Sequence, residues 1–402
     1  MRSTSRSAIR KRRGVAAACA AAIAFASGLA TAAPHVPASD ATIVERLPAS
    51  FLALRRLQPA TAASAEPTSV DAALAQARHY IELGQTYSDP RAYGYAQAAL
   101  GKWWSADPAP GEVLVMRARI LQFRHDFGGA LAQLEAALRH DQFDPDAWLL
   151  FASIAQVQGN TLAARGACLK LIPIADPLVG ATCAASTAAL SGNAAAAQSL
   201  LARALEGKTA ATPGERTWAW TTLAEVRAHA GDAAAAETAF RAALAISPDD
   251  VYARAAYADL LLDAQRAGEA RTFLGDALQA DAVLLRAAIA AQRAGDVDAA
   301  KLASELAQRF DEARARGDDT HLREQARFAL EVAHDPQGAL GLARRNFEVQ
   351  HEPADARVLL EAANAAGDEA AKRPVREWLA KTGMREPRLE RLAQANAAGV
   401  RN

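Results

Sequence analysis

Aromatic residues make up only 6% of this 402-residue chain, and no stretch alternates as a half-buried strand would. With Ala dominant, that composition favours helices, because Ala costs least in a helix and covers a sheet face poorly. Catalytic signatures are missing as well. None of the eight histidines forms an HExxH motif or a Cys/His cluster with zinc spacing. No GxSxG elbow, Walker A loop or GxGxxG turn follows a strand. The sequence therefore offers no catalytic, cofactor or metal site, and the chain reads as non-enzymatic. His125-Asp126 and His140-Asp141 are expected near helix ends, and Asp249-Asp250 and Asp318-Asp319 in turns, as caps.

The first residues differ from the rest. Arg2, Arg6, Arg10, Lys11, Arg12 and Arg13 precede an uncharged apolar run, Gly14–Leu29, and Ala30-Thr31-Ala32 supplies a small-x-small cleavage site. This is the form of a signal peptide, residues 1–32, which predicts a periplasmic or secreted protein without stable membrane insertion. An uncleaved N-terminal anchor is the alternative. Six of the 45 basic residues stand before Gly14 and no acid does, which leaves 39 against 45 acidic residues. A mildly acidic remainder argues against nucleic acid as a partner.

Residues 33–69 are rich in Pro, Ala, Ser and Thr and predict a leader in which Ile43, Val44, Leu47, Phe51, Leu54 and Leu57 mark short capping helices. From Ala77 a register of about 34 residues begins. The first unit places Tyr80, Leu83, Gly84 and Tyr87 on one helix and Ala96, Leu100 and Trp103 on the next, ended by Pro108. One register on come Leu114, Ala118, Leu121, Phe127, Ala130, Leu134 and Ala137; then Trp148, Phe151, Ala152, Gly159, Ala164 and Cys168; then Gly192, Ala197, Leu201 and Ala204. A long loop, Glu206–Arg216, leads into the clearest unit, Thr217–Asp250, with Trp220, Leu223 and Phe240 as large residues and Ala224, Ala236 and Ala243 as small ones. Tyr257, Leu261, Ala270 and Ala277 continue the pattern. Leu284, Gly295 and Ala300 follow, then Phe328, Ala339 and Phe347, and finally Leu359, Gly367, Val375 and Trp378.

This spacing of bulky and small residues resembles the tetratricopeptide repeat, most sharply over Ala77–Pro110 and Thr217–Asp250. The fold expected is all-α, a right-handed solenoid of about nine antiparallel helix pairs over residues 70–386, with residues 387–402 forming a capping helix and tail. The resemblance implies a concave groove, lined by the first helix of each pair, that holds a protein or peptide segment. Its register assigns Arg78, Gln85, Arg119, Gln122, Gln156, Trp218, Glu225, His229, Tyr252, Asp259, Asp263 and Gln292 to that groove. Arginines fall early and acids late, which would orient a ligand of mixed charge. Trp218 and Tyr252 weigh most, since exposed aromatics are favoured anchors. Gln85, Arg119, Ser153, Glu225 and Asp259 stand where the family's best-known peptide clamp uses Asn, so carboxylate clamping is not expected.

Beyond the signal only Cys168 and Cys183 remain, near the end of one helix and the start of the next, with residues 173–177 between them. An antiparallel hairpin sets them level, so in an oxidising compartment they either join as a disulfide or pack as two buried thiols. The function expected is an exported scaffold or adaptor that binds a protein segment within a cell-envelope assembly. The alternative is a chaperone-like or cell-wall-related factor, with or without enzymatic activity.

Overall fold

The computed structural model describes residues 67–395 except 88, 89, 277, 316 and 319, and only the backbone of residues 86 and 87. The expected signal peptide and capping helices, Ala277, and the chain beyond residue 395 lie outside the described residues. Among those described there are nineteen α-helices, two 3-10 turns and no strand. Nine antiparallel pairs follow one another. The inner helices are α1 (Val70–Tyr87), α3 (Gly111–Phe123), α5 (Pro145–Val157), α7 (Pro177–Leu190), α9 (Pro213–His229), α11 (Val251–Asp263), α13 (Asp281–Ala294), α15 (Leu322–Glu331) and α17 (Pro353–Ala366). Their partners are α2 (Arg91–Leu100), α4 (Phe127–His140), α6 (Thr161–Leu171), α8 (Ala194–Glu206), α10 (Ala233–Ile246), α12 (Ala267–Leu274), α14 (Ala299–Ala315), α16 (Pro336–Phe347) and α18 (Arg373–Thr382). A last helix, α19 (Pro387–Gln394), packs on α17.

The pairing has a repeated local cause. Inner helices end on a residue of positive φ, and the partner helix starts almost at once. Gly159, Gly192, Gly231, Gly295 and Gly367 hold this position at φ between 68° and 87°, and His125, Gln265 and His334 hold it at 55–59° without being glycine. The next residue often caps the new helix: the carboxylates of Asp126, Asp232 and Asp335 accept the backbone N–H of Gly129, Ala235 and Gly338. Three residues into their helices stand Ala130, Ala164, Ala197, Ala236, Ala270 and Ala339, each with no exposed surface. A methyl side chain there lets two backbones cross closely, and any larger group would have to displace the facing helix.

Two local expectations are corrected. The second helix of the first pair does not run to Pro108; it ends at Leu100, where Gly101 takes φ 50° and Trp103 falls in a 3-10 turn. The long loop is shorter than predicted, because a Thr212–Glu215 capping box starts α9 at Pro213. Asp176 ties down what remains, accepting Thr209 Oγ1 at 2.6 Å and the Ala210 N–H at 2.9 Å.

The apolar core is segmented along the array. One cluster fills α1–α5, a second α7–α14, and a third α15–α19; a small fourth surrounds Cys168 and Cys183 with Ala152, Leu171 and Val179. The array also turns back on itself. The His351 N–H bonds the Val157 carbonyl at 2.6 Å, Trp378 lies against Gly159, and Gly383 lies against Gly192. A Cβ on Gly159 would come within 2.9 Å of the Trp378 indole nitrogen, so glycine is required there by space as well as by φ. The last two pairs thus rest on the inter-helix turns of the third and fourth.

Cys168 and Cys183 form a disulfide between α6 and the middle of α7. It closes a 15-residue separation, so its reduction is expected to cost about 3 kcal/mol. Urea unfolding followed with and without reductant measures this, and coincident midpoints would show that the bond contributes nothing.

Candidate functional site

Several side chains on the inner helix of one pair reach the inner helix of another. Arg78 on α1 pairs with Glu112 on α3 at 3.4 Å. Gln122 on α3 donates to Ser153 Oγ on α5 at 3.4 Å, and Gln156 on α5 donates to Ser186 and Thr187 on α7 at 2.9 and 2.7 Å. The Tyr252 hydroxyl on α11 donates to Glu225 on α9 at 2.5 Å. Arg286 on α13 and Arg327 on α15 meet Asp259 on α11 at 2.8 and 2.6 Å. Gln292 bonds His334 at 2.8 Å across the end of α13. Of the residues assigned to a groove by register, Arg78, Gln122, Gln156, Glu225, Tyr252, Asp259 and Gln292 thus make contacts between helices of different repeats.

Their freedom differs along the array. Gln85 and Arg78 are exposed, and Arg119 is half-buried beside Tyr93, whose ring stacks on Phe123 with centroids 3.5 Å apart. Trp218 is half-buried against the disulfide cluster, so packing accounts for it. Tyr252 is 58% exposed and keeps an open aromatic face. The late acids are engaged by the chain itself. Asp263 accepts both Arg357 terminal nitrogens of α17 at 2.9 and 2.8 Å and also pairs with Arg388 of α19.

Electrostatics on this face follow from crowding and pairing. Burial alone would raise the Asp259 carboxyl, but Arg286 and Arg327 outweigh it and hold the group well below the usual carboxylate range. Glu225 has no such partner. Burial pushes it up to about 7; the Tyr252 hydrogen bond and Arg323 pull it down, while Glu352 pushes further up. The Tyr252 hydroxyl is pushed up by the neighbouring Glu225 carboxylate, by burial and by Glu352. His229 is driven down to about 4 by burial and by Arg357, against the pull of Asp263.

Sequence reasoning missed the arginines of the last repeats, Arg323, Arg327, Arg357 and Arg388. A signal was present: Arg323 and Arg327 are four residues apart on an inner helix, as are Asp259 and Asp263. Among the described residues no group of three His, Cys, Asp or Glu side chains is arranged to hold a metal, and no helix is long and apolar enough to cross a membrane. A cavity of about 510 Å³ opens between the α3–α4 turn and the α16–α17 loop, lined by Arg124, His125, Thr320, Arg345 and Gln350 among others. It mixes both charge signs and gathers no catalytic constellation.

Residues 182–294 match the family model described as the tetratricopeptide repeat. No curated protein matches the chain. Among solved structures, PilW, described as a type IV pilus biogenesis factor, is 20% identical with a TM-score of 0.41, covering 52% of this chain and 96% of its own. PilF of Pseudomonas aeruginosa is 17% identical with a TM-score of 0.32, covering 62% of this chain and 95% of its own. The Cut9–Hcn1 tetramer structure is 13% identical with a TM-score of 0.47 over 86% of this chain and 65% of the other.

Glu225 gives a pH prediction. Its folded pKa lies above the ordinary 4.5, so ionisation works against the fold: stability should fall as pH rises from about 4.5 to about 7 and level off beyond. Glu225→Gln keeps an acceptor for Tyr252 and removes the charge. It should raise the melting temperature by a few degrees at pH 8 and leave it nearly unchanged at pH 4. Equal shifts at both pH values would contradict this assignment.

Proposed function

We propose, for a chain that belongs to the tetratricopeptide repeat family, an exported, non-enzymatic scaffold that binds a protein or peptide segment on its concave face within a cell-envelope assembly. The observation that carries the reading is Tyr252. It is an aromatic side chain more than half exposed, with its hydroxyl tethered to Glu225 and its ring presented on the inner face. Such a side chain offers a large contact area at little entropic cost, because its rotamer is already set. Arg78 and Gln85 extend the same face towards its N-terminal end, where both stay exposed. Export is supported by the basic, apolar and small-x-small order of the first 32 residues.

A non-enzymatic role is supported by how the ionisable groups are used. Arg286 and Arg327 neutralise Asp259, and Arg357 and Arg388 neutralise Asp263. None of them converges with a nucleophile on an open cleft, as an acid–base or nucleophilic site would need.

Photo-crosslinking residues placed in turn at positions 78, 85 and 252 test this in cells, with position 169 on the outer helix α6 as the comparison. Leu169 is 59% exposed, near Leu162 and Ile172, so it also samples the outer apolar surface. One protein captured from the inner positions and not from 169 is the expected result. A broad spread of unfolded clients would favour the chaperone-like alternative, and capture from 169 alone would place binding on the outer face.

A further inference from the structure

The chain's own last repeats reach back to Asp263 at the end of α11 and to Val157 at the end of α5. The apolar cluster of α15–α19 is distinct from that of α7–α14. The hinge between them is α15, whose Phe328 packs edge-on against Phe310 of α14 with centroids 5.7 Å apart. Beyond α15, polar groups make much of the grip on the array. His351 donates to the Val157 carbonyl at 2.6 Å, Gln350 meets His125 at 3.5 Å, and Arg357 and Arg388 hold Asp263. Trp378 on Gly159 and the half-buried Leu190 add apolar contact.

Opening would leave no charge stranded. Arg357 and Arg388 both retain Glu361, at 2.9 and 3.3 Å. Asp263 ends its helix with 29% of its side chain exposed, so water can replace its partners. An unpaired buried charge is what makes most ion pairs costly to break, and here that cost is small. What opening exposes is Asp263, His229 and the face that continues to Tyr252.

We infer that α16–α19 form a clasp, closed on Asp263, that covers the part of the concave face beyond the exposed Tyr252 until a partner segment is admitted. The clasp is an autoinhibitory contact, and its role rests on the concave-face reading above.

The test uses the full chain. Hydrogen exchange of the segment carrying the His351 amide reports closure, since that N–H is held by Val157 only in the closed form. Cross-linking from position 252 reports access, with position 78 as a reference beyond the reach of Asp263. In Asp263→Ala, and in the unaltered protein at about 1 M salt, exchange at this segment should be roughly tenfold faster. Capture from 252 should rise by a similar factor while capture from 78 stays constant. Arg388→Ala, which weakens the same contact from the other side, should act in the same direction, and Asp276→Ala, on a 97% exposed acid outside the contact, should do nothing. Unchanged exchange in both Asp263→Ala and Arg388→Ala overturns the clasp. Faster exchange with unchanged capture at 252 overturns its gating role. Failure of the concave-face reading is distinct: nothing is then captured from 78 or 252 in any variant, whatever the exchange shows, and the gating role falls with it.

Discussion

A pair of short helices cannot bury its own apolar side, and the whole molecule follows from how that deficit is met. Each pair borrows a surface from the next, and the loan is possible because the crossing point is a methyl group. Ala130, Ala164, Ala197, Ala236, Ala270 and Ala339 occupy the same place in six successive or near-successive units, all fully buried. Large residues such as Leu134, Leu201, Leu223 and Phe240 then fill the space beside them. The outcome is a core that is long and segmented, in which each stretch depends on its neighbours for stability.

Apolar packing leaves the inner face to polar chemistry, and the proposed function asks that face to serve twice. Its first use is between repeats, where a side chain from one inner helix meets its counterpart on the next: Gln156 with Thr187, Tyr252 with Glu225, Arg286 with Asp259. These contacts fix the rotation between neighbouring pairs as well as their distance, because a hydrogen bond is directional where a methyl contact is not. Its second use, under that proposal, is by a partner segment. The two uses compete. Asp259 is committed to two arginines, whereas Tyr252 and Gln85 keep surface to spare.

The return of the last repeats onto the turns of the third and fourth changes what the acids at the end of α11 do. Charge on Asp263 looks outward in a linear array and inward in a closed one. The last repeats meet the third and fourth through polar contacts, Trp378, Leu190 and Gly383, while the units on either side have cores of their own.

The helical architecture and its register were legible from sequence because both are local. Alanine content, the 34-residue spacing, and Gly-Asp or Gly-Asn pairs such as Gly159-Asn160 and Gly231-Asp232 specify where a helix stops, turns and restarts within a few residues. The disulfide was one of two readings that the spacing of Cys168 and Cys183 allowed, and the α6–α7 packing selected it. The assignment of Arg78, Glu225 and Asp259 to a groove came from the register of the family that the chain resembles. What those residues touch was not legible. Trp218 met the disulfide cluster, Gln156 met Ser186 and Thr187, and Asp263 met arginines 94 and 125 residues further along the chain. Partners so distant are set by the accumulated rotation of many repeats, a sum of small angles that no local pattern records. The sequence alone thus determined the repeating helical unit; only the tertiary structure decided where the array meets itself, because that depends on every turn at once.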